Sequence, residues 1–114
     1  MSVKVSTRQV GDVTVADVAG KLTLGEASST FREALRNLIS QGHKKILLNL
    51  SAVSYMDSSG IGELVAGYTT VTSAGGKLKL LNLTQRVQSP LQSTKLYTVF
   101  EVFEDETAGV KSFT

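Results

Sequence analysis

At 114 residues without a cysteine, the chain has room for one domain with a real core and excludes disulfides, thiol catalysis and cysteine-ligated metal. Its twelve basic residues are scattered, Lys44-Lys45 being the densest pair, and the net charge is only +2; the clustered basic stripe that nucleic-acid binding requires is missing. No apolar run approaches the roughly 20 residues of a membrane span, and the opening MSVKVSTRQV lacks the apolar core of a signal peptide, so no membrane association and a cytoplasmic location are expected.

Val3, Val5 and then Val13, Val15, Val18 alternate around Gly11-Asp12, the pattern of a β-hairpin. Thr23 and Glu26 have capping-box spacing, with Leu22 and Ala27 placed as a hydrophobic staple; a helix with the buried stripe Ala27, Phe31, Leu35, Leu38 and Ile39 should start there and end at Gly42. Ile46, Leu47, Leu48 and Leu50 make a nearly continuous apolar run, the signature of a strand covered on both faces, and Ser51 to Tyr55 reads as a loop. Ile61, Leu64, Val65 and Tyr68 then recur at helical spacing, so a second helix begins at Ser58 or Ser59. Gly75-Gly76 makes a turn, and Lys77 to Leu83 alternates as a strand with Leu78, Leu80 and Leu83 inward. Thr84 is placed to cap a third helix bearing Val87 and Leu91, which Pro90 should kink or shorten. Thr98 to Phe103 reads as a last strand, and Asp105 as the cap of a terminal helix with Ala108, Val110 and Phe113. The expected fold is α/β: an opening hairpin, then alternating strands and helices, giving a mixed β-sheet covered by about four helices in a single domain over residues 1–114.

The chain is organised around the quartet Asp57-Ser58-Ser59-Gly60, at the junction of the apolar strand and the second helix. A serine there suits helix capping, because its hydroxyl accepts from a free first-turn N–H. The same N–H groups and the positive end of the helix dipole would also stabilise a phosphate on that hydroxyl. Gly60, Gly62 and Gly67 each cost about 1 kcal/mol relative to alanine within a helix, so something offsets them. Close approach of a partner to bare backbone and tight packing on the protein's own sheet are the two available reasons.

Taken together, Val18-Ala19-Gly20-Lys21-Leu22, Ile46-Leu47-Leu48-Asn49-Leu50, Tyr55-Met56-Asp57-Ser58-Ser59-Gly60-Ile61-Gly62 and Gly75-Gly76-Lys77-Leu78-Lys79-Leu80, in this element order, resemble the STAS domain and more narrowly the single-domain bacterial anti-sigma factor antagonists. The resemblance covers essentially the whole chain. It implies that Ser58 is phosphorylated by an anti-sigma factor serine/threonine kinase, that phosphorylation breaks their complex, and that a PP2C-type phosphatase restores it. Asp57, Ser59, Gly60, Ile61, Gly62 and Thr23 are then the expected partner-binding residues, with Tyr55, Met56 and Leu64 candidates for the docking patch that are mostly expected in the core. Thr23 is also a departure: many antagonists have an acid there, in a G-x-L-D pattern, and threonine loses a charge that would pair with a basic residue on the kinase. Pro90 is a second departure, in a region the family usually makes helical.

The resemblance also allows a non-phosphorylated interaction or scaffold subunit of a larger sensory or transport complex. A receiver domain using Asp57 would need a divalent cation held by further acids near the end of the first strand, which here leads into a hairpin with Asp12 in its turn, and a lysine near the end of the last strand, which is missing. A hydrolase with Ser58 or Ser59 as nucleophile would need a base, yet the only histidine, His43, precedes the central strand and so falls at its opposite end. No enzymatic activity, metal site or cofactor is expected.

Overall fold

The valines on either side of Gly11-Asp12 form the expected hairpin: β1 (Val3–Val10) pairs antiparallel with β2 (Val13–Leu22), Val10 opposite Val13. The computed structural model describes residues 3–85, 87 and 96–114. The chain continues through α1 (Glu26–Ser40), β3 (Lys45–Met56), α2 (Ser58–Ser73), β4 (Lys77–Leu81), a 3-10 turn (Leu96–Val99), β5 (Val102–Phe103) and α3 (Glu106–Lys111). The five strands stand in chain order in one mixed sheet, all pairs after the hairpin being parallel.

The alternation along β3 explains the layers. Ile46, Leu48 and Leu50 point to the face covered by α1 and α2, where they pack with Phe31, Leu35, Leu64 and Val71. Leu47 points to the other face and joins Val13, Val15, Leu81 and Phe113 under α3. On that second face the apolar patch ends at Asn49, whose side-chain amide donates to Asp17 at 2.8 Å. The main core therefore lies between the sheet and the α1–α2 pair, and there Gly67 faces Leu35, whose Cδ1 would lie 2.5 Å from an added Cβ.

Four expectations about elements are corrected. Ser51 to Tyr55 is strand, because β2 keeps pairing beyond Leu50 through two register shifts that set Lys21 opposite Tyr55 and Leu22 opposite Met56. The capping box is not formed: α1 starts at Glu26 with Gly25 at its N-cap and no side-chain cap, while the Thr23 carbonyl accepts from the Ser28 hydroxyl at 2.9 Å. The last strand is Val102–Phe103 alone, preceded by the 3-10 turn. Of about four expected helices, three α-helices stand among the described residues; Gln85 and the buried Val87 are helical, whereas Pro90 and Leu91 lie outside them.

The other boundaries follow their signals. Gly42 and His43 N–H groups donate to Ile39 and Leu38 carbonyls at 3.0 Å each, closing α1, and Gly75 and Gly76 close α2 in the same way on Thr72 and Val71. Asp105 caps α3 by accepting from Ala108 N–H at 3.0 Å. No helix among the described residues is long and apolar enough to cross a membrane.

Candidate functional site

β3 ends at Met56 and α2 begins at Ser58, so a single residue, Asp57, makes the junction. Its backbone is extended, as an N-cap requires, and its Oδ1 accepts from Gly60 N–H at 2.9 Å. Its other oxygen, Oδ2, accepts from Leu24 N–H at 3.2 Å, and its own N–H donates to the Leu22 carbonyl at 3.4 Å. Asp57 thus ties the start of α2 to the loop between β2 and α1. The expected serine cap is corrected: aspartate stands one residue earlier and takes that role.

The consequence falls on Ser58. It occupies the first helical position, is exposed, and its hydroxyl has no hydrogen-bond partner among the described residues. Gly60 and Ile61 N–H groups are taken by Asp57, whereas those of Ser58 and Ser59 have no acceptor among the described residues. An uncommitted hydroxyl therefore sits beside two free N–H groups at the positive end of a sixteen-residue helix.

The remaining expected site residues divide by direction. Ser59 and Thr23 are half-buried, and Gly62 is exposed one turn beyond Ser58 with nothing within 4 Å of where a Cβ would stand. Gly60 and Ile61 turn inward, which corrects their expected place on the partner-facing surface. A Cβ on Gly60 would strike the Leu22 carbonyl oxygen and lie 2.5 Å from Met56 Cγ, and the Ile61 side chain, 5% exposed, belongs to the main core. Met56 and Leu64 are core as well, so of the docking-patch candidates only Tyr55 is exposed.

On the α1 side, Arg32 grips Glu63 with both ends of its guanidinium, Nη2 to Oε2 at 2.5 Å and Nε to Oε1 at 3.3 Å, and the pairing holds the Arg32 pKa above its ordinary value. This bridge locks the first turns of α2 against α1. Sequence reasoning missed both Arg32–Glu63 and the exposed Leu24; their spacings across the chain carry no local signal. His43 lies before β3, its Nδ1 3.0 Å from Thr14 Oγ1, at the far end of that strand from Ser58. Among the described residues no three His, Asp or Glu side chains converge as metal ligands.

The STAS domain family matches this chain over residues 4–108. The chain belongs to the STAS domain family. The STAS domain is 32% identical over 111 residues, 97% of its length and 100% of the relative's, to an anti-sigma-B factor antagonist of Bacillus subtilis. Its fold recurs in an anti-sigma factor antagonist from Mycobacterium paratuberculosis, TM-score 0.86 at 18% identity, covering 98% of this chain and 94% of the other. It also recurs in the Bacillus cell fate determinant SpoIIAA in its phosphorylated form, TM-score 0.74 at 22% identity, covering 97% and 100%.

Proposed function

We propose that residues 1–114 act in the cytoplasm as one STAS domain that serves as an anti-sigma factor antagonist, a regulatory protein rather than an enzyme. Unphosphorylated, it binds an anti-sigma factor that is itself a serine kinase. The kinase moves the γ-phosphoryl group of ATP to Ser58 Oγ, the serine proton leaving to solvent and ADP departing, and the complex separates. A PP2C-type phosphatase then hydrolyses the phosphoserine to serine and inorganic phosphate, and binding resumes.

One observation carries this reading: the Ser58 hydroxyl is exposed and has no hydrogen-bond partner among the described residues, Asp57 rather than a serine capping α2. Evolutionary likeness to an anti-sigma-B factor antagonist supports it as well. Physically, a phosphate adds about −1.5 to −2 charge at pH 7, and the free Ser58 and Ser59 N–H groups would hold it at the helix mouth. In a docked interface the same charge is desolvated beside the Asp57 carboxylate, which repels it. Gly62 offers bare backbone one turn below, where a partner surface approaches closely.

The test begins with protein purified from its own host under growth and under stress, by intact mass and phosphosite mapping. A condition-dependent phosphate on Ser58 is expected. Ser58→Asp should weaken binding to the anti-sigma factor at least tenfold, and Ser58→Ala should bind and resist release by ATP. Equal binding by wild type and both variants would overturn the switch, and a stable partner with no phosphate under any condition would favour the scaffold reading.

A further inference from the structure

Leu24 is the most exposed large apolar side chain among the described residues, at 78%, yet its backbone is held firmly. Its N–H donates to Asp57 Oδ2, and the preceding Thr23 carbonyl accepts from Ser28. The following residue, Gly25, takes φ +103°, a conformation that favours glycine, and turns the chain into α1. Folding thus spends three local devices on holding a leucine out in water. Tyr55, 46% exposed, is the next large apolar group on this end of the sheet, opposite Lys21 in the β2–β3 register.

We propose that Leu24 is an apolar anchor for the anti-sigma factor, held in its docking position by the second carboxylate oxygen of Asp57. This rests on the Ser58 reading above and adds the residue that grips the partner. The occupant follows from area. A stable protein–protein contact buries about 800 Å² on each side, a disc roughly 16 Å in radius. Leu24 is hydrogen-bonded to the residue that precedes Ser58, so a kinase domain that brings its cleft to the Ser58 hydroxyl covers Leu24 too. An apolar side chain enclosed near the centre of a footprint contributes far more than one at its rim. The partner therefore carries an apolar pocket beside its ATP-binding cleft. Asp57 is a positioning residue in this scheme: Oδ1 fixes the helix that bears the acceptor, Oδ2 fixes the anchor, and the two are thereby kept in register.

The experiment uses Ser58→Ala protein as bait in host extract, and the retained serine kinase is identified by mass spectrometry, purified and titrated by calorimetry. Leu24→Ser should bind it about tenfold more weakly with an unchanged urea midpoint, because the side chain it removes is already in water. Affinity within twofold of wild type would overturn the anchor. Asp57→Asn keeps an acceptor for Gly60 N–H but offers an amide to Leu24 N–H; it should speed exchange of the Leu24 amide and weaken binding severalfold. The double variant should lose little beyond Leu24→Ser alone, whereas additive losses would show that Asp57 does not act through Leu24. If wild type and Ser58→Asp bind the kinase equally, the switch fails, and the Leu24→Ser titration on the same partner still decides the anchor. Retention of no kinase by the bait would overturn both.

Discussion

Two glycines two residues apart in α2 have opposite reasons to be there. Gly60 touches the Leu22 carbonyl of β2 and Met56 of β3, so that α2 can start directly on the strand ends. Gly60→Ala should cost about 2 kcal/mol, because the obstructing carbonyl is backbone held in the sheet and has little freedom to yield. Gly62 has open space around it, and Gly62→Ala should add up to about 1 kcal/mol of stability through helix propensity. Urea unfolding midpoints of the two variants should therefore move in opposite directions. A downward shift for Gly62→Ala would mean that its backbone is constrained in some other way. For function the same contrast separates glycine kept for the fold from glycine available to a partner.

α3 is only six residues long, and it is secured to the hairpin by charge. Arg8 on β1 reaches Asp17 on β2 at 2.6 Å and Glu106 on α3 at 2.7 Å. Hydrogen bonding to Arg8 holds both carboxyl groups below their ordinary values of 3.8 and 4.5, and the same contacts raise the Arg8 pKa, so Arg8 stays charged throughout. The sign follows from the depressed carboxyl pKa values. Their contribution is complete above the unfolded values and drains away as pH falls through the lower folded ones. Arg8 is 42% exposed, so screening keeps each pair near ~1 kcal/mol. Asp17→Asn should lower the urea midpoint at pH 7, and the gap from wild type should close as pH drops below 3.8. A gap of constant size down to the acid transition would show that the carboxylate charge is not what matters.

Across the whole molecule, one lysine links β4 to the last residues of the chain. Lys79 on β4 is 7% exposed, with Nζ 2.9 Å from the Ser112 carbonyl, 3.1 Å from the Ser112 hydroxyl and 2.8 Å from Glu101. Its ammonium also lies 4.7 Å from the centre of the Phe113 ring. The methylenes fill the second core while the charge meets the carbonyl end of α3, where a cation is favourable. Lys79→Ala should cost about 1–3 kcal/mol by emptying that space and leaving the Ser112 carbonyl unpaired. Hydrogen exchange should report the loss first in α3 and β5, with β2 and β3 protection intact. Uniform loss of protection would instead make α3 part of the same cooperative unit as the main core.

The hairpin, the order of elements, the core stripes of α1 and α2, the Asp105 cap and the position of Ser58 were legible because each is written within a few residues of itself. Period-2 and period-3.6 alternation act locally, and the structure keeps them, as it keeps the Asp105 cap. The length of β3 was not legible, since Ser51 to Tyr55 owes its extended form to β2 hydrogen bonds rather than to its own side chains. Thr23 and Glu26 had the spacing of a cap but do not form one, because Gly25, at φ +103°, stands at the N-cap and α1 starts only at Glu26. The sequence by itself determined where Ser58 stands and which faces of the helices are apolar. Only the tertiary structure decided that Asp57 frees that serine and that Leu24 stands exposed beside it, because residues 33 apart in the chain meet only when two parallel strands end at the same edge.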